Sequence, residues 1–379
     1  CGATNIEVGL KIPVALPGAV LPGDFVIEKR KMRGVSSEGM LCSGKELGLT
    51  EDAEGIMILD ADAPLGTPLA KVLHGGGVVF DIENTAITNR PDLFSHLGFA
   101  RELVATGLAE WKQKEYDFAD VESALSDTPL PVTFQIEADE LCPARAEVVL
   151  ENIAVAPSPQ WMQERMQACG IRPISNVVDV SNYVMLELGM PLHIFDLDTI
   201  SGDSITMRDS KAGEHVVTLD GVTRTLPAQV IIQEDAEKVF DLAGIMGGAN
   251  SEITQNTTRA LVHVPVYDPI RIRKAMLALG HRTDAATIYE KRVPNCLVLP
   301  GIKRTIQLLR QCCPSMTIAS GIEYVEHVPD IERVLELQNS EVSRVIGEEI
   351  TVQQTTELLA GLGFEVTAVQ GHTLSVKVP

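Results

Sequence analysis

Between residues 130 and 324 the hydrophobic pattern changes repeatedly between a strand period of two and a helix period of about 3.6. A segment with both periods interleaved must build sheet with helices packed against it. Strands are expected at residues 132–136, 146–155 and 230–233. One helix runs from Ser158, its cap, through Trp161, Met162 and Met166 to Gly170; a second carries Val177, Val180, Val184 and Leu188 on one face and stops at Gly189. The expectation for this region is an α+β domain.

The chain has 379 residues, and at roughly 100–200 residues per domain it holds several cores. Residues 6–33 alternate apolar and polar positions between Pro and Gly turns, which reads as a small β-barrel, and a basic stretch closes it at residues 28–34. Pro and Gly mark a boundary near residues 65–77, and a polar, acidic linker is expected at residues 113–128. Between them Leu93, Leu97, Ala100, Leu103 and Val104 form one helical face, with Asp92 as cap and Gly107 as stop. Past residue 329, Ser340 and Thr351 open two short helices, Thr351 and Gln354 form a capping box, and a hairpin turns at Gln370, Gly371 and His372.

Composition removes some function classes. No apolar run approaches the roughly 20 residues that cross a bilayer, so no membrane partner is expected. Seven cysteines form no CxxC pair and no Cys/His cluster at zinc spacing, which points to reduced thiols in the cytoplasm and to no metal site. A net charge of −21 opposes nonspecific attraction to nucleic acid, so any RNA must be met through local basic patches or partner chains. The opening on Cys1, without Met or leader, reads as mid-domain, and the chain is expected to be a fragment lacking both ends. No P-loop, GxSxG elbow or HExxH is present.

Several strings stand at spacings that composition does not explain: CPARAEVVLENIAVAPSPQWMQERMQACGIRPISNVVDVSNYVMLELGMPLHIFDLDT at residues 142–199, the opening CGATNIEVGLKIPVALPGAVLPGDF with SSEGMLCS, and VFDLAGIMGGANSEIT with HRTDAATIYE. Together they resemble the bacterial phenylalanyl-tRNA synthetase beta subunit over nearly the whole chain. The resemblance implies a partial tRNA-binding OB-fold at residues 1–75, a connecting helical segment at 76–128, a mixed α/β editing domain at 129–328, and a partial helix-helix-hairpin DNA-binding-like domain at 329–379. It further implies an alpha subunit as partner in an alpha2 beta2 assembly, tRNA as ligand, and ATP with Mg2+ for the complete enzyme. The aminoacylation centre would lie in the alpha subunit, so neither cofactor is expected on this chain alone.

The implied chemistry is a second sieve. A pocket that accepts phenylalanine cannot strongly reject tyrosine, whereas a site that hydrogen-bonds the phenol rewards tyrosine and leaves the plain ring unrewarded. By the resemblance, Arg172 of GIRPI anchors the terminal adenosine and His193 of PLHIFD positions water or a ribose hydroxyl. Read alone, a histidine between apolar residues is more often a hydrogen-bonded core residue. Gly247 and Gly248 let backbone approach a ligand or simply make a turn. Thr283 and Ala285 align with a pocket-lining threonine and a small residue that leaves room for the ring. Ser36, Ser37, Gly39, Met40 and Ser43 form the tRNA-binding signature, which reads either as a close approach to nucleic acid or as a tight barrel-closing loop. Three positions depart from the family: His263 replaces a pocket glutamate, Met190 replaces a glutamine, and Glu290, Lys291 and Arg292 replace ERG with loss of its glycine. An imidazole offers one lone pair where a carboxylate offers about four. The alternative is therefore a non-catalytic tRNA-binding and assembly subunit with a degenerate pocket; a free-standing RNA-binding or trans-editing factor is a third reading.

Overall fold

The computed structural model describes residues 3–32, 34–49, 55–59, 61, 63–73, 78–112 and 116–379. Cys1, Arg33 of the basic stretch, residues 74–77 of the first expected boundary and residues 113–115 of the linker lie outside the described residues. The chain divides into two compact units, Cys1–Phe80 and Asp81–Pro379.

In the first unit the strands pair two by two. Val14–Ala15 runs antiparallel to Met40–Leu41, Val20–Leu21 to Phe25–Val26, and Arg30–Met32 to Val35–Ser37. Pro13, Pro17 and Pro22 interrupt the segment, and a residue without an N–H ends a ladder. Hence no closed barrel forms among the described residues. Ala15, Ile27 and Cys42 make the small core.

The second unit opens with two 3-10 turns, Thr85–Ile87 and Pro91–Phe94, and helix α1, His96–Ala105. The cap of α1 is Ser95, whose hydroxyl accepts from Gly98 N at 3.0 Å, and not Asp92, which instead pairs with Arg90. Two five-stranded sheets follow. Strand β1 is Thr133–Ile136 and β2 is Ala144–Glu151, followed by helices α2, Gln160–Ala168, and α3, Asn176–Leu188. Next come β3, His193–Asp196, β4, Ser204–Asp209, β5, Ile231–Glu234, β6, Val239–Leu242, and β7, Met246–Gly247. Strand β8, Ala260–Val266, leads to α4, Pro269–Leu279, α5, Asp284–Tyr289, and α6, Val298–Cys312; β9, Thr317–Ile318, and β10, Glu323–Glu326, complete the sheets. One sheet is centred on the antiparallel pair β2 and β8, with β3 beyond β8 and with β9 and β10 beyond β2. The other has the order β7-β6-β5-β4-β1, and only β4 and β1 run parallel.

Strand β8 is buried at every position and β2 at all but its last, because each face meets a different core. Ala146, Val148, Val262 and Val264 join the helix-side cluster with Val180, Val184 and Ile302. Val149, Leu261 and Phe195 pack on Phe134, Ile205 and Phe240 of the other sheet. Alternation along β2 and β8 therefore sends Glu147 and His263 to the inter-sheet side. Helix α3 carries the expected stripe, capped by Ser175 and ended by Gly189 at φ +74°. Ser158 does not cap α2; Pro159 stands at that place and the Ser158 hydroxyl donates to Asp179 Oδ2 at 2.5 Å.

The C-terminal region adds a strand to the expected helix-helix-hairpin. Strand β11, Arg333–Gln338, precedes α7, Asn339–Ile346, and α8, Val352–Gly361; β12, Glu365–Gln370, and β13, Thr373–Val378, make the hairpin. The sheet order is β11-β13-β12. Thr351 and Gln354 form the capping box, whereas Ser340 lies inside α7, whose cap is Gln338.

Candidate functional site

His193 is the first residue of β3, opposite His263 of β8 in the ladder. Its ring lies 4.4 Å from that of Phe195. Gly247 is the register partner of Asp241 across β6 and β7. A Cβ on Gly247 would stand 2.4 Å from His193 Cε1, so the imidazole lies directly on bare backbone. The neighbouring Gly248 is needed for another reason, since a Cβ there would meet Phe240 O at 2.4 Å.

These residues border a cavity of about 60 Å³ in the second unit, lined by Pro191, Leu192, His193, Asp241, Gly244, Ile245, Met246, Gly247, Pro265, Tyr267, Ala285 and Tyr289. Of the residues singled out in the sequence, His193, Gly247 and Ala285 come together on it. Thr283 acts one layer behind: it caps α5, accepting from Ala286 N at 3.1 Å, and donates to Ile245 O at 2.9 Å. Arg172 is exposed and is not among the lining residues. Met190 is fully buried beside Gly301, whose Cβ would fall 2.9 Å from Met190 Cγ.

His263 is placed differently from the expectation that it faces a ligand phenol. It is fully buried, stacked on Phe134 at 5.3 Å, and absent from the cavity lining. Nδ1 lies 2.8 Å from Glu147 Oε1, and Nε2 lies 3.4 Å from the Tyr267 hydroxyl. Both nitrogens are thus engaged by the chain's own groups. A carboxylate is still beside the position where the family has glutamate, but Glu147 supplies it from the adjacent strand and ion-pairs with Arg145.

Asp241 and Gln233 escaped sequence reading because nothing local distinguishes an acidic or amide residue whose strand position is buried. Both are buried. Gln233 Nε2 lies 3.1 Å from Asp241 Oδ2 and 3.2 Å from the Tyr267 hydroxyl. A buried polar chain therefore runs from Arg145 through Glu147, His263, Tyr267 and Gln233 to Asp241 at the cavity. Burial pushes the Asp241 carboxyl up to about 8, partly offset by the Gln233 hydrogen bond. Burial, with the neighbouring His263, brings His193 down to about 4. Near pH 7 the cavity is bordered by a protonated acid and a neutral imidazole, and two groups driven apart in this way divide into proton donor and proton acceptor.

The cavity is small. A water's share of liquid is about 30 Å³, and a cavity of about 150 Å³ takes benzene, so about 60 Å³ admits water as it stands, and an aromatic ring enters only when lining side chains move. Tyr267 and Tyr289 line the cavity: their rings meet edge to face at 5.0 Å, and the Tyr289 hydroxyl donates to Pro191 O at 2.7 Å.

In the first unit, Ser37 Oγ donates to Gly39 O at 2.9 Å, and Ser43 N and Oγ both donate to Glu46 Oε2, at 2.7 and 2.9 Å. A Cβ on Gly39 would lie 2.8 Å from Ala15 O, so this glycine serves the crossing of two chain segments. Met40 pairs with Ala15, and Ser36 is exposed opposite Lys31. Of the basic stretch, Lys29 is paired with Glu38 and Arg30 with Glu28.

Comparison with known proteins fits both units. The family described as a putative tRNA binding domain matches residues 1–68, and the B3/4 domain family matches residues 141–314, which makes this a tRNA-binding-type chain with a B3/4 domain. The chain is 38% identical over 387 residues to the phenylalanine–tRNA ligase beta subunit of Carboxydothermus hydrogenoformans, covering 100% of this chain and 47% of the relative. It is 40% identical over 373 residues to that of Syntrophus aciditrophicus, covering 98% and 46%. The chain belongs to the phenylalanine–tRNA ligase beta-subunit family and spans about half the length of the curated relatives it matches. An N-terminal fragment of the phenylalanyl-tRNA synthetase beta subunit from Pyrococcus horikoshii aligns with TM-score 0.34 and 17% identity over 77% of this chain and 79% of that one.

Proposed function

We propose that the chain works in the cytoplasm as the tRNA-binding and proofreading part of a phenylalanine–tRNA ligase, partnered by an alpha subunit in an alpha2 beta2 assembly that attaches phenylalanine to its tRNA. ATP and magnesium serve the complete enzyme. Among the described residues no three His, Cys, Asp or Glu side chains are grouped to hold a metal ion, and no step is routed through one. The observation that carries the reading is the convergence of His193, Gly247 and Ala285, with Asp241, on one cavity. There the reaction is hydrolysis of tyrosine wrongly esterified to the tRNA. Water attacks the ester carbonyl carbon and gives a proton to neutral His193; the bond from that carbon to the ribose oxygen breaks, and Asp241 protonates the leaving oxygen. Such positioned proton transfers contribute roughly 10²–10⁴-fold each.

The size of the cavity favours a second reading, in which the chain binds tRNA and assembles the enzyme while Tyr267 and Tyr289 close the pocket to an aromatic ring. One assay separates the two. Matched tyrosyl and phenylalanyl esters of the tRNA are mixed with the protein and release is measured against buffer. Faster release of tyrosine alone is expected; release of both at the buffer rate establishes the closed-pocket reading instead.

A further inference from the structure

A second, larger hollow of about 530 Å³ lies between helix α4 and the turn that follows α5, bordered by Thr88, Ile270, Arg273, Lys274, Leu277 and residues 290–292. Ligand pockets run from about 300 to 1,000 Å³. Its charge runs against the composition. In a chain with 31 basic and 52 acidic residues, four cations, Arg273, Lys274, Lys291 and Arg292, surround a single carboxylate, Glu290. The Glu290 side chain is only 3% exposed and takes Arg273 at 3.2 Å and Lys291 at 3.7 Å, which fixes two of the cations at the rim while the carboxylate stays beneath. Lys274 and Arg292 form no ion pair among the described residues, and both are exposed.

Arg292 supplies an independent observation. Its backbone sits at φ +68°, a left-handed conformation that few residues other than glycine adopt. A cation kept at a site suited to glycine, on the rim of a groove whose charge opposes that of the chain, implies an anionic ligand. The groove also borders the cavity along the chain: Tyr289 lines the cavity and Glu290 the groove.

We propose that this groove binds the phosphate backbone of the tRNA. The choice of tRNA over other RNA rests on the reading above; the binding itself requires no hydrolysis. The test is fluorescence anisotropy of a labelled tRNA transcript with the intact chain across a KCl series. Combined Lys274→Glu and Arg292→Gly substitution is expected to weaken binding at least roughly tenfold at low salt and to lower the slope of log affinity against log salt by about 2. Arg292→Gly alone is expected to weaken binding while raising the melting temperature, because glycine relieves the left-handed backbone; a purely structural Arg292 would not separate the two effects. Arg344→Ala, on an exposed arginine of α7, serves as the control and is expected to change affinity less than about twofold. Parent-like affinity and slope in the groove variants, or an equal loss in the control, would overturn the proposal. So would tripolyphosphate binding that the groove variants abolish while tRNA binding is unchanged, which assigns the groove to a small phosphate ligand. Absence of tyrosyl-ester hydrolysis alongside the expected binding losses would remove the proofreading reading and leave the groove standing.

Discussion

At Asp241 burial acts on an acid and at His193 on a base, so the same loss of water gives opposite pH dependences. The Asp241 carboxyl is raised from 3.8 to about 8, so between those values the folded chain holds a proton that the unfolded chain releases, and its contribution to stability falls as pH rises through that window. His193 is lowered from 6.5 to about 4; its contribution is intact above the ordinary histidine range and is lost as pH falls from there toward 4. Asp241→Asn is therefore expected to melt higher than the parent by a margin that widens from pH 5 to pH 8, checked by thermal melts in a pH series. The same variant has no proton to give, and buffer-corrected tyrosyl-ester hydrolysis at pH 7 is expected to drop about 10²-fold. Gly247→Ala acts by shape alone. Its new Cβ meets the His193 ring at 2.4 Å, and the overlap is expected to destabilise the fold by about 1–3 kcal/mol, read from the urea midpoint. The position of His263 was legible from the string around it, but its environment was not: Glu147, which holds its Nδ1, lies 116 residues away in sequence, and only strand pairing brings the two together.

Elements with a local signature were readable and those made by distant partners were not. Helix α3 was plain because Val177, Val180, Val184 and Leu188 are all buried on one side, and the Thr351 box was plain because both its halves lie within one turn. Strand β11 gave no signal since five of its six residues are exposed; its pairing is supplied by β13, so Val334 and Leu335 read as surface. The cap of α2 was misread because the Ser158 hydroxyl finds Asp179, 21 residues on. Thr351→Ala removes one reciprocal pair at the start of α8 and is expected to cost about 1 kcal/mol, seen as a lower urea midpoint. A sharper test concerns the junction of the 3-10 turn with α1. Gly98 lies where a Cβ would be 1.9 Å from the Asp92 carbonyl oxygen, and backbone on both sides leaves no flexible atom to yield. Gly98→Ala is expected to destabilise by more than the ordinary overpacking cost of about 1–3 kcal/mol, with α1 losing amide-exchange protection before the central strands do.

Cavity and groove are both built wholly from residues of the second unit, whereas the tRNA-binding family match covers residues 1–68. On the proposed reading the second unit carries both the hydrolytic cavity and the phosphate-binding groove, and the first unit adds a further tRNA contact. Their cores are unequal: the first unit gathers Ala15, Ile27 and Cys42, while the second buries two extended clusters around its paired sheets. A small core leaves little apolar burial to offset chain entropy, so two melting transitions are expected by calorimetry, with the first unit giving way at the lower temperature. Removal of residues 1–80 is expected to abolish that early transition and leave the main one in place. In the hydrolysis assay the shortened chain is expected to need several-fold more tRNA for half-maximal rate yet to reach the same rate at saturation, because uniform binding is lost while the groups around the ester are untouched. A collapse of the saturated rate would instead place part of the reacting site in the first unit and contradict the assignment of proton donor and acceptor to Asp241 and His193 alone.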